Sequence, residues 1–187
     1  IIQKYAFGSR NMRKKVLIVG VEPFSIINFR YDLILLLKKN NISVFIATKG
    51  LGSKDVNKFD GVSHAKINFN RSSLSVVNSL LTLLSLIRLF KKVKPDRILA
   101  YTIKPVIWGG LSARFCKADF YALITGLGFA FHGKSLQRRA LTKLVVFLYT
   151  LALKDSKAVI FQNIDNRNIF IEKKIIEPSK AYVVNGS

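Results

Sequence analysis

The segment KVLIVGVEPFSIINFR, which runs from Lys15 to Arg30, decides the fold class of this 187-residue chain. Its aliphatic run, residues 16–19, is short and unbroken, as expected for a strand buried on both faces. A loop over residues 21–27 follows, and the spacing of apolar residues then predicts an amphipathic helix over residues 28–40. A buried strand, a short loop and a helix form the first unit of an α/β fold with a parallel sheet.

The same alternation continues along the chain and predicts a Rossmann-like α/β fold, a doubly wound parallel sheet. The predicted strands cover residues 16–19, 43–48, 65–68, 97–101, 120–125, 158–161 and 181–184. The predicted helices cover residues 28–40, 73–94, 105–115, 136–154 and 163–173.

A single domain is predicted over residues 12–187, an ordinary length for one α/β domain. Residues 1–11 precede Met12 and fit no element, so we expect an added or disordered segment there. The chain ends on YVVNGS, residues 182–187, which is a strand that leads into a turn. We therefore expect the natural protein to continue into a second domain.

The charge balance indicates an anionic partner. The chain has 31 Lys and Arg against 10 Asp and Glu, a formal net charge of +21. Such an excess is far larger than solubility requires of a small domain. Nucleic acid, an anionic membrane surface and a phosphorylated substrate all fit this charge.

Cysteine and histidine usage predicts neither a metal nor a disulfide framework. Cys116 is the only cysteine, and His64 and His132 are the only histidines and lie far apart. The loop after Gly20 also lacks the Gly-x-Gly-x-x-Gly pattern, which disfavours a dinucleotide cofactor. No run reaches the roughly 18 apolar, uncharged residues that a membrane-spanning helix requires, and the nearest, residues 72–87, is too rich in Ser, Thr and Asn.

The first loop is the leading candidate for binding. Arg30 is predicted to lie in the first turn of a helix, where the dipole disfavours a cation unless an anion shares the site. Ser25 and Asn28 precede it and either cap the helix or contact a ligand. For Arg30 the alternative is a solvated side chain.

Two further loops are predicted at the same carboxyl edge of the sheet, where open α/β proteins bind ligands. Thr102 and Lys104 follow the fourth strand, with Pro105 predicted as the first residue of the next helix. In residues 126–134, Gly126 and Gly128 lie among aromatic residues, a composition that lets backbone approach a phosphate or a sugar. An exposed lysine and a tight turn explain these features as well.

The predicted helix over residues 136–154 has a basic head, Arg138, Arg139 and Lys143, and then no charge from residue 144 to residue 153. One interpretation is a membrane-surface helix whose cations contact lipid phosphates while its apolar residues enter the acyl boundary. The other is a helix packed against the sheet, with its apolar residues in the core.

Several short motifs in order resemble a known family. They are KVLIVG at residues 15–20 with FSIINFR at residues 24–30, TGLG at residues 125–128, and VVNGS at residues 183–187. Together they resemble the amino-terminal domain of family-four glycosyltransferases of the GT-B fold. The likeness is greatest to bacterial enzymes that extend saccharides on undecaprenyl diphosphate during assembly of surface polysaccharide, such as capsule or lipopolysaccharide.

This resemblance implies retaining transfer from a nucleotide sugar, here expected to be a UDP-hexose or a UDP-N-acetylhexosamine. No metal is implied, and the reaction would take place in a cleft between two Rossmann-like domains, of which the amino-terminal one holds the acceptor. The implied location is cytoplasmic, peripheral on the inner face of the plasma membrane. The positions implied to line the acceptor side and the cleft floor are Phe24, Ser25, Asn28, Arg30, Thr102, Lys104, Thr125 and Gly126.

The chain departs from the family pattern in three respects. The first loop reads GVEPFS, residues 20–25, where many relatives have a Gly-Gly pair. Thr125 stands where many have a cleft-floor histidine, so no catalytic side chain is assigned. The carboxyl-terminal domain with its Glu-x7-Glu element is absent from these residues, so we expect the chain alone to be inactive.

Two other functions stay open at this point. A nucleic-acid-binding module would fit the net charge, although the basic residues are spread along a half-apolar chain without an aromatic-basic motif, which disfavours nucleic acid. One half of a sugar-nucleotide epimerase would share the two-domain architecture, and it would bind the nucleotide sugar without a lipid acceptor.

Overall fold

The computed structural model describes residues 14–50, 61–67, 69, 76–127 and 136–184. Seven strands form one sheet in the order β3-β2-β1-β4-β5-β6-β7, and every neighbouring pair is parallel. The strands are β1 (Lys15–Val19), β2 (Ser43–Thr48), β3 (Ser63–Lys66), β4 (Arg97–Tyr101), β5 (Asp119–Ile124), β6 (Ala158–Phe161) and β7 (Ala181–Val183). The prediction of a Rossmann-like, doubly wound parallel sheet is therefore confirmed.

Helices cover both faces of this sheet. They are α1 (Pro23–Phe29), α2 (Tyr31–Lys39), α3 (Val76–Val93), α4 (Ile103–Ala113), α5 (Leu136–Leu153) and α6 (Ile164–Glu172), and a 3-10 turn (Pro178–Lys180) precedes β7. Helices α1 and α2 pack on one face through Ile26 and Ile34. Helices α3 to α6 pack on the other face, where Phe90, Tyr149 and Phe170 belong to the larger apolar cluster.

The order in which the chain adds strands to the sheet changes direction between β1 and β4, although all strands remain parallel. From β1 the chain moves outward to β2 and β3, and it then returns through α3 to β4, on the other side of β1. The loops after β1 and β4 therefore diverge to opposite faces and leave a crevice at the carboxyl edge. Open α/β proteins bind their ligands in such a crevice.

The predicted single helix over residues 28–40 is wrong, as is the predicted loop over residues 21–27. Helix α1 already begins at Pro23, because proline at a first helical position has a suitable φ and lacks only an N–H that would be unpaired anyway. Arg30 then interrupts the helix with φ −128° and ψ 0°, and α2 begins at Tyr31. Arg30 thus joins two helices and does not lie inside the first turn of one.

Two smaller predictions also need correction. The third strand was predicted over residues 65–68 but spans Ser63–Lys66, because it pairs as an edge strand with residues 45–48 of β2. Helix α4 begins at Ile103, so that only Thr102 remains of the predicted loop 102–104. Pro105 is therefore the third residue of the helix, still within the first turn, where backbone N–H groups have no helical partner.

Candidate functional site

The crevice between β1 and β4 is formed by residues that are distant in sequence. Gly20 follows β1 directly, and Tyr101 is the last residue of β4. The two strands are hydrogen-bonded neighbours, so their carboxyl ends lie side by side. Helix α1 and Arg30 cover this edge from one face, and Thr102 leads into α4 on the other.

Tyr101 organises the crevice, although the sequence analysis did not identify it. Its side chain is 2% exposed, and its hydroxyl lies 2.8 Å from Oγ of Ser25. The Ser25 hydroxyl donates to the carbonyl of Glu22 at 2.8 Å, so Tyr101 is the donor to Ser25. Burial raises the pKa of Tyr101, while Ser25 and the nearby Arg30 act in the opposite direction.

Arg30 lies over the ring of Tyr101. Its Cζ atom is 5.1 Å from the ring centroid, within the range of a cation–π contact. Nη1 donates to the carbonyl of Phe29 at 2.6 Å, but the buried Nε has no hydrogen-bond partner among the described residues. Burial lowers the pKa of the guanidinium, yet arginine stays charged at any physiological pH.

Thr102 presents a second unpartnered polar atom. Its Oγ1 is buried and has no hydrogen-bond partner within the described part of the chain. The backbone at Thr102 is in the left-handed region, with φ 67° and ψ 161°, a conformation that a β-branched residue rarely adopts. Lys104 lies two residues further along, in the first turn of α4, and burial lowers the pKa of its ammonium group.

The loop after β1 is held on both sides. A Cβ added at Gly20 would lie 2.7 Å from Cε1 of Tyr101 and still closer to the phenol oxygen, so only glycine fits beneath this ring. Glu22 pairs with Lys49 at 3.1 Å across the carboxyl ends of β1 and β2. Both charged groups are about two-fifths exposed, so the ion pair positions the loop more than it stabilises the fold.

The other predicted site residues have different surroundings. Phe24 is 70% exposed on α1, and the Asn28 amide donates to the carbonyl of Phe24 within the same helix. Neither Ser25 nor Asn28 caps a helix, since the N-cap residue is Glu22, without a side-chain bond. Thr125 and Gly126 follow β5, and an added Cβ at Gly126 meets nothing within 4 Å. Gly128 lies outside the described residues.

The basic head of the predicted membrane-surface helix lies on α5. Arg138, Arg139 and Lys143 are exposed, and so are Leu144 and Phe147. The described residues include no helix that is long and apolar enough to cross a membrane. They likewise include no group of three or more His, Cys, Asp or Glu side chains that could hold a metal ion.

The crevice has the chemistry of an anion site. A planar cation lies over an aromatic ring, one of its N–H groups has no partner among the described residues, and a hydroxyl that likewise has none follows the ring in sequence. Arginine binds phosphate and carboxylate oxygens through two parallel hydrogen bonds, and desolvation strengthens each of them. No pair of described side chains in the crevice has the geometry of a nucleophile with its base.

Comparison with known proteins agrees with this fold. A family model described as "Glycosyl transferase 4-like" matches residues 17–163. No curated protein sequence matches the chain significantly.

Three solved structures show the same fold. A glycosyltransferase from Rickettsia africae ESF-5 has a TM-score of 0.66 and 18% identity, over 92% of this chain and 43% of that one. Anabaena Alr3699/HepE in complex with UDP-glucose has a TM-score of 0.62 and 13% identity, over 92% and 44%. A UDP-GlcNAc 2-epimerase from Neisseria meningitidis bound to UDP-GlcNAc has a TM-score of 0.58 and 18% identity, over 90% and 46%.

These structural neighbours have the GT-B architecture, and this chain spans less than half the length of each. Identities below one fifth show the fold alone, so the family assignment depends on the sequence model. Because that model matches well over half of the residues, the chain belongs to the glycosyl transferase 4-like family.

Proposed function

We propose that this chain is the acceptor-binding domain of a retaining glycosyltransferase. The whole enzyme would transfer a hexose or an N-acetylhexosamine from a UDP-sugar to a saccharide linked to undecaprenyl diphosphate, during synthesis of a surface polysaccharide. Membership of the glycosyl transferase 4-like family supports sugar transfer, and neighbours with the same fold bind UDP-glucose and UDP-GlcNAc. The acceptor is inferred from the crevice.

One observation carries this assignment of the acceptor, namely the stacked Arg30 with its unpaired Nε. A diphosphate offers several oxygen atoms to a guanidinium that is fixed in one plane. The helix that ends at Arg30 also exposes two aromatic side chains, Phe24 at 70% and Phe29 at 57%. A cation beside exposed rings suits a ligand that combines a diphosphate with an apolar chain.

In this proposal the residues of the crevice bind the diphosphate of the acceptor and orient it. Arg30 and Thr102 would contact diphosphate oxygens, and Lys104 would add positive charge to the same edge. Ser25 donates to Glu22 and accepts from Tyr101, so in this proposal it positions the loop. No catalytic side chain, cofactor or metal is assigned to this chain.

Such an acceptor would place the enzyme on the cytoplasmic face of the plasma membrane as a peripheral protein. The net charge of +21 supports this location, because anionic lipid attracts basic proteins.

The decisive assay measures transfer of radiolabelled sugar by the natural full-length protein. A panel of UDP-sugars is offered with undecaprenyl-diphosphate saccharides, and Arg30→Ala is compared with Arg167→Ala, a variant of an arginine on α6. We expect transfer by the wild type and by Arg167→Ala and at least a tenfold loss for Arg30→Ala. Conversion of the UDP-sugar without a lipid acceptor would identify an epimerase, and no reaction with any donor would refute the proposal.

A binding assay on the 187-residue chain tests the acceptor site separately. Farnesyl diphosphate, farnesol and inorganic diphosphate are compared as ligands by calorimetry. Farnesyl diphosphate should bind most tightly, because it supplies both the charge and the apolar chain. Equal affinity for farnesyl diphosphate and inorganic diphosphate would remove the lipid from the assignment and leave an anion site.

A further inference from the structure

Helices α3, α4 and α5 form a continuous outer layer on one face of the sheet, with α4 in the middle. Two consecutive glycines let α4 lie deep between its neighbours. A Cβ added at Gly110 would come within 2.5 Å of the carbonyl oxygen of Ala152 in α5. The outward side of α4 is consequently a narrow stripe of partly exposed residues, Lys104, Trp108 and Leu111, spaced four and three residues apart.

Helices α3 and α5 lie on either side of this stripe and expose large apolar side chains. On α3 these are Leu80, Leu81 and Leu84, and on α5 they are Leu144 and Phe147; Leu81 is 56% and Phe147 59% exposed. Leu84 and Leu144 each lie eight residues after the first residue of their helix, at about the same depth along parallel helices. The exposed apolar side chains therefore form a band across the layer.

The layer carries only positive charge. Helices α3, α4 and α5 contain neither Asp nor Glu, and their basic residues are Arg88, Lys91, Lys92, Lys104, Arg138, Arg139 and Lys143. Elsewhere the helices mix charges, as with Asp32 on α2 and Asp165 on α6. Acidic residues follow these helices at the opposite, amino edge of the sheet, where Asp155 pairs with Arg114 and Asp119 with Lys157.

We infer that this acid-free layer, helices α3 to α5, is the surface that docks on an anionic lipid bilayer. Interfacial binding requires exposed leucine and aromatic side chains next to Lys and Arg, and the layer, whose helices contain no Asp or Glu, has both. A second copy fits less well, because a two-fold contact of the layer with itself would bring like charges together. The inference rests on the membrane location in the proposed function and adds the surface and its orientation.

The orientation follows from the topology. The three helices run antiparallel to the strands, so their amino ends lie at the carboxyl edge of the sheet, which also holds the crevice. Helix α4 begins directly after Thr102, and Arg138 and Arg139 lie in the first turn of α5. A chain docked by this layer therefore places the carboxyl edge of the sheet, at Thr102 and the start of α4, next to the lipid headgroups, whereas α1 with its exposed Phe24 and Phe29 lies on the opposite face of the sheet.

Vesicle flotation of the chain tests this surface without any lipid-linked saccharide, so its outcome is independent of sugar transfer. The vesicles contain phosphatidylcholine alone or with 30% phosphatidylglycerol, about one anionic lipid in three. We expect binding to the anionic vesicles only. Leu81→Glu with Phe147→Glu should lower the partition constant at least tenfold, and Arg139→Glu with Lys143→Glu about thirtyfold, given the contribution of each cation near such a surface.

Matched control variants change the same residue types on the opposite face of the sheet. Leu35→Glu with Leu36→Glu replaces leucines of α2 that are 44% and 45% exposed, and Lys38→Glu with Lys39→Glu makes the same change in net charge as the basic pair. Circular dichroism checks that every variant is folded. Binding that survives in both layer variants, or that falls equally in the controls, overturns the inference. So does a dimer of the wild-type chain that the layer variants dissociate while vesicle binding is absent.

Discussion

Arg30 stacks on Tyr101, with the guanidinium carbon 5.1 Å from the ring centroid, and this contact joins the helix pair after β1 to the end of β4. The contact lies between β1 and β4, where the strand order changes direction, so it connects the two sides of the crevice. The Nε atom of this guanidinium is buried and has no hydrogen-bond partner among the described residues. We therefore expect Arg30 to matter for both stability and ligand binding, and substitutions can separate the two.

Substitution of Arg30 should separate charge from planarity. Arg30→Ala is expected to weaken binding of farnesyl diphosphate at least tenfold, because the cation that lies over Tyr101 is lost. Arg30→Lys keeps the charge but cannot stack or bind through two parallel N–H groups, so its affinity should lie between those of Ala and wild type. Calorimetry measures all three. Wild-type affinity for Arg30→Lys would show that charge alone is sufficient.

The hydrogen bond from Tyr101 to Ser25 can be measured by a double-mutant cycle. Tyr101→Phe and Ser25→Ala each remove this 2.8 Å bond and should each lower the free energy of unfolding by about 1 kcal/mol. Since both remove the same interaction, the double variant should cost less than the sum. Urea denaturation with unchanged m-values provides the measurement. Strict additivity would show that the bond contributes nothing.

Gly20 should tolerate no side chain while Tyr101 is present. The Cβ of Gly20→Ala would overlap the phenol ring, so we expect a loss of about 1–3 kcal/mol in unfolding free energy. Tyr101→Phe should not rescue this variant, because the overlap includes ring carbons as well as the oxygen. Tyr101→Leu in the Gly20→Ala background should recover part of the loss. Thermal denaturation of the four proteins distinguishes this steric cause from a general intolerance of loop changes.

The consecutive glycines of α4 should respond oppositely to alanine. In Gly109→Ala the nearest contact is 3.4 Å from an edge carbon of Phe120, so the higher helix propensity of alanine should make the change neutral or slightly stabilising. In Gly110→Ala the Cβ meets the backbone carbonyl of Ala152 at 2.5 Å, which forces α4 and α5 apart. We expect Gly110→Ala to lower the melting temperature by several degrees, and equal melting temperatures would contradict the close helix packing.

Most strands were predictable because they are short, largely apolar runs of the kind that a doubly covered sheet requires, whereas the edge strand β3, with the sequence SHAK, is not. The ranges 43–48, 97–101 and 158–161 match the observed strands residue for residue. The first helix was not predicted correctly. The apolar periodicity predicts a helix that begins at residue 28, whereas α1 begins at Pro23 and ends before Arg30. A single proline can determine where a helix begins, whereas hydrophobic periodicity is a pattern over several turns and locates the ends of a helix poorly.

Part of the candidate site was also predictable. Ser25, Arg30, Thr102 and Lys104 follow strands, and the structure places them at one edge, although their binding roles remain predictions. Tyr101 was missed because it reads as the last residue of an apolar strand. The one signal in the sequence was a tyrosine at the end of an apolar strand, because its buried hydroxyl needs a polar partner. Nothing in the sequence around Thr102 indicates its left-handed backbone.

The sequence by itself determined the class of fold and the excess of positive charge, because burial on both faces and composition are properties of each segment taken alone. The tertiary structure decided which segments meet. Tyr101 reaches Arg30 and Gly20 only because β4 pairs with β1, and the acid-free layer exists only because three consecutive helices pack side by side on one face of the sheet. Which segments become neighbours depends on the order of strands in the sheet. Long-range packing determines this order, and the periodicity of a single segment does not predict it.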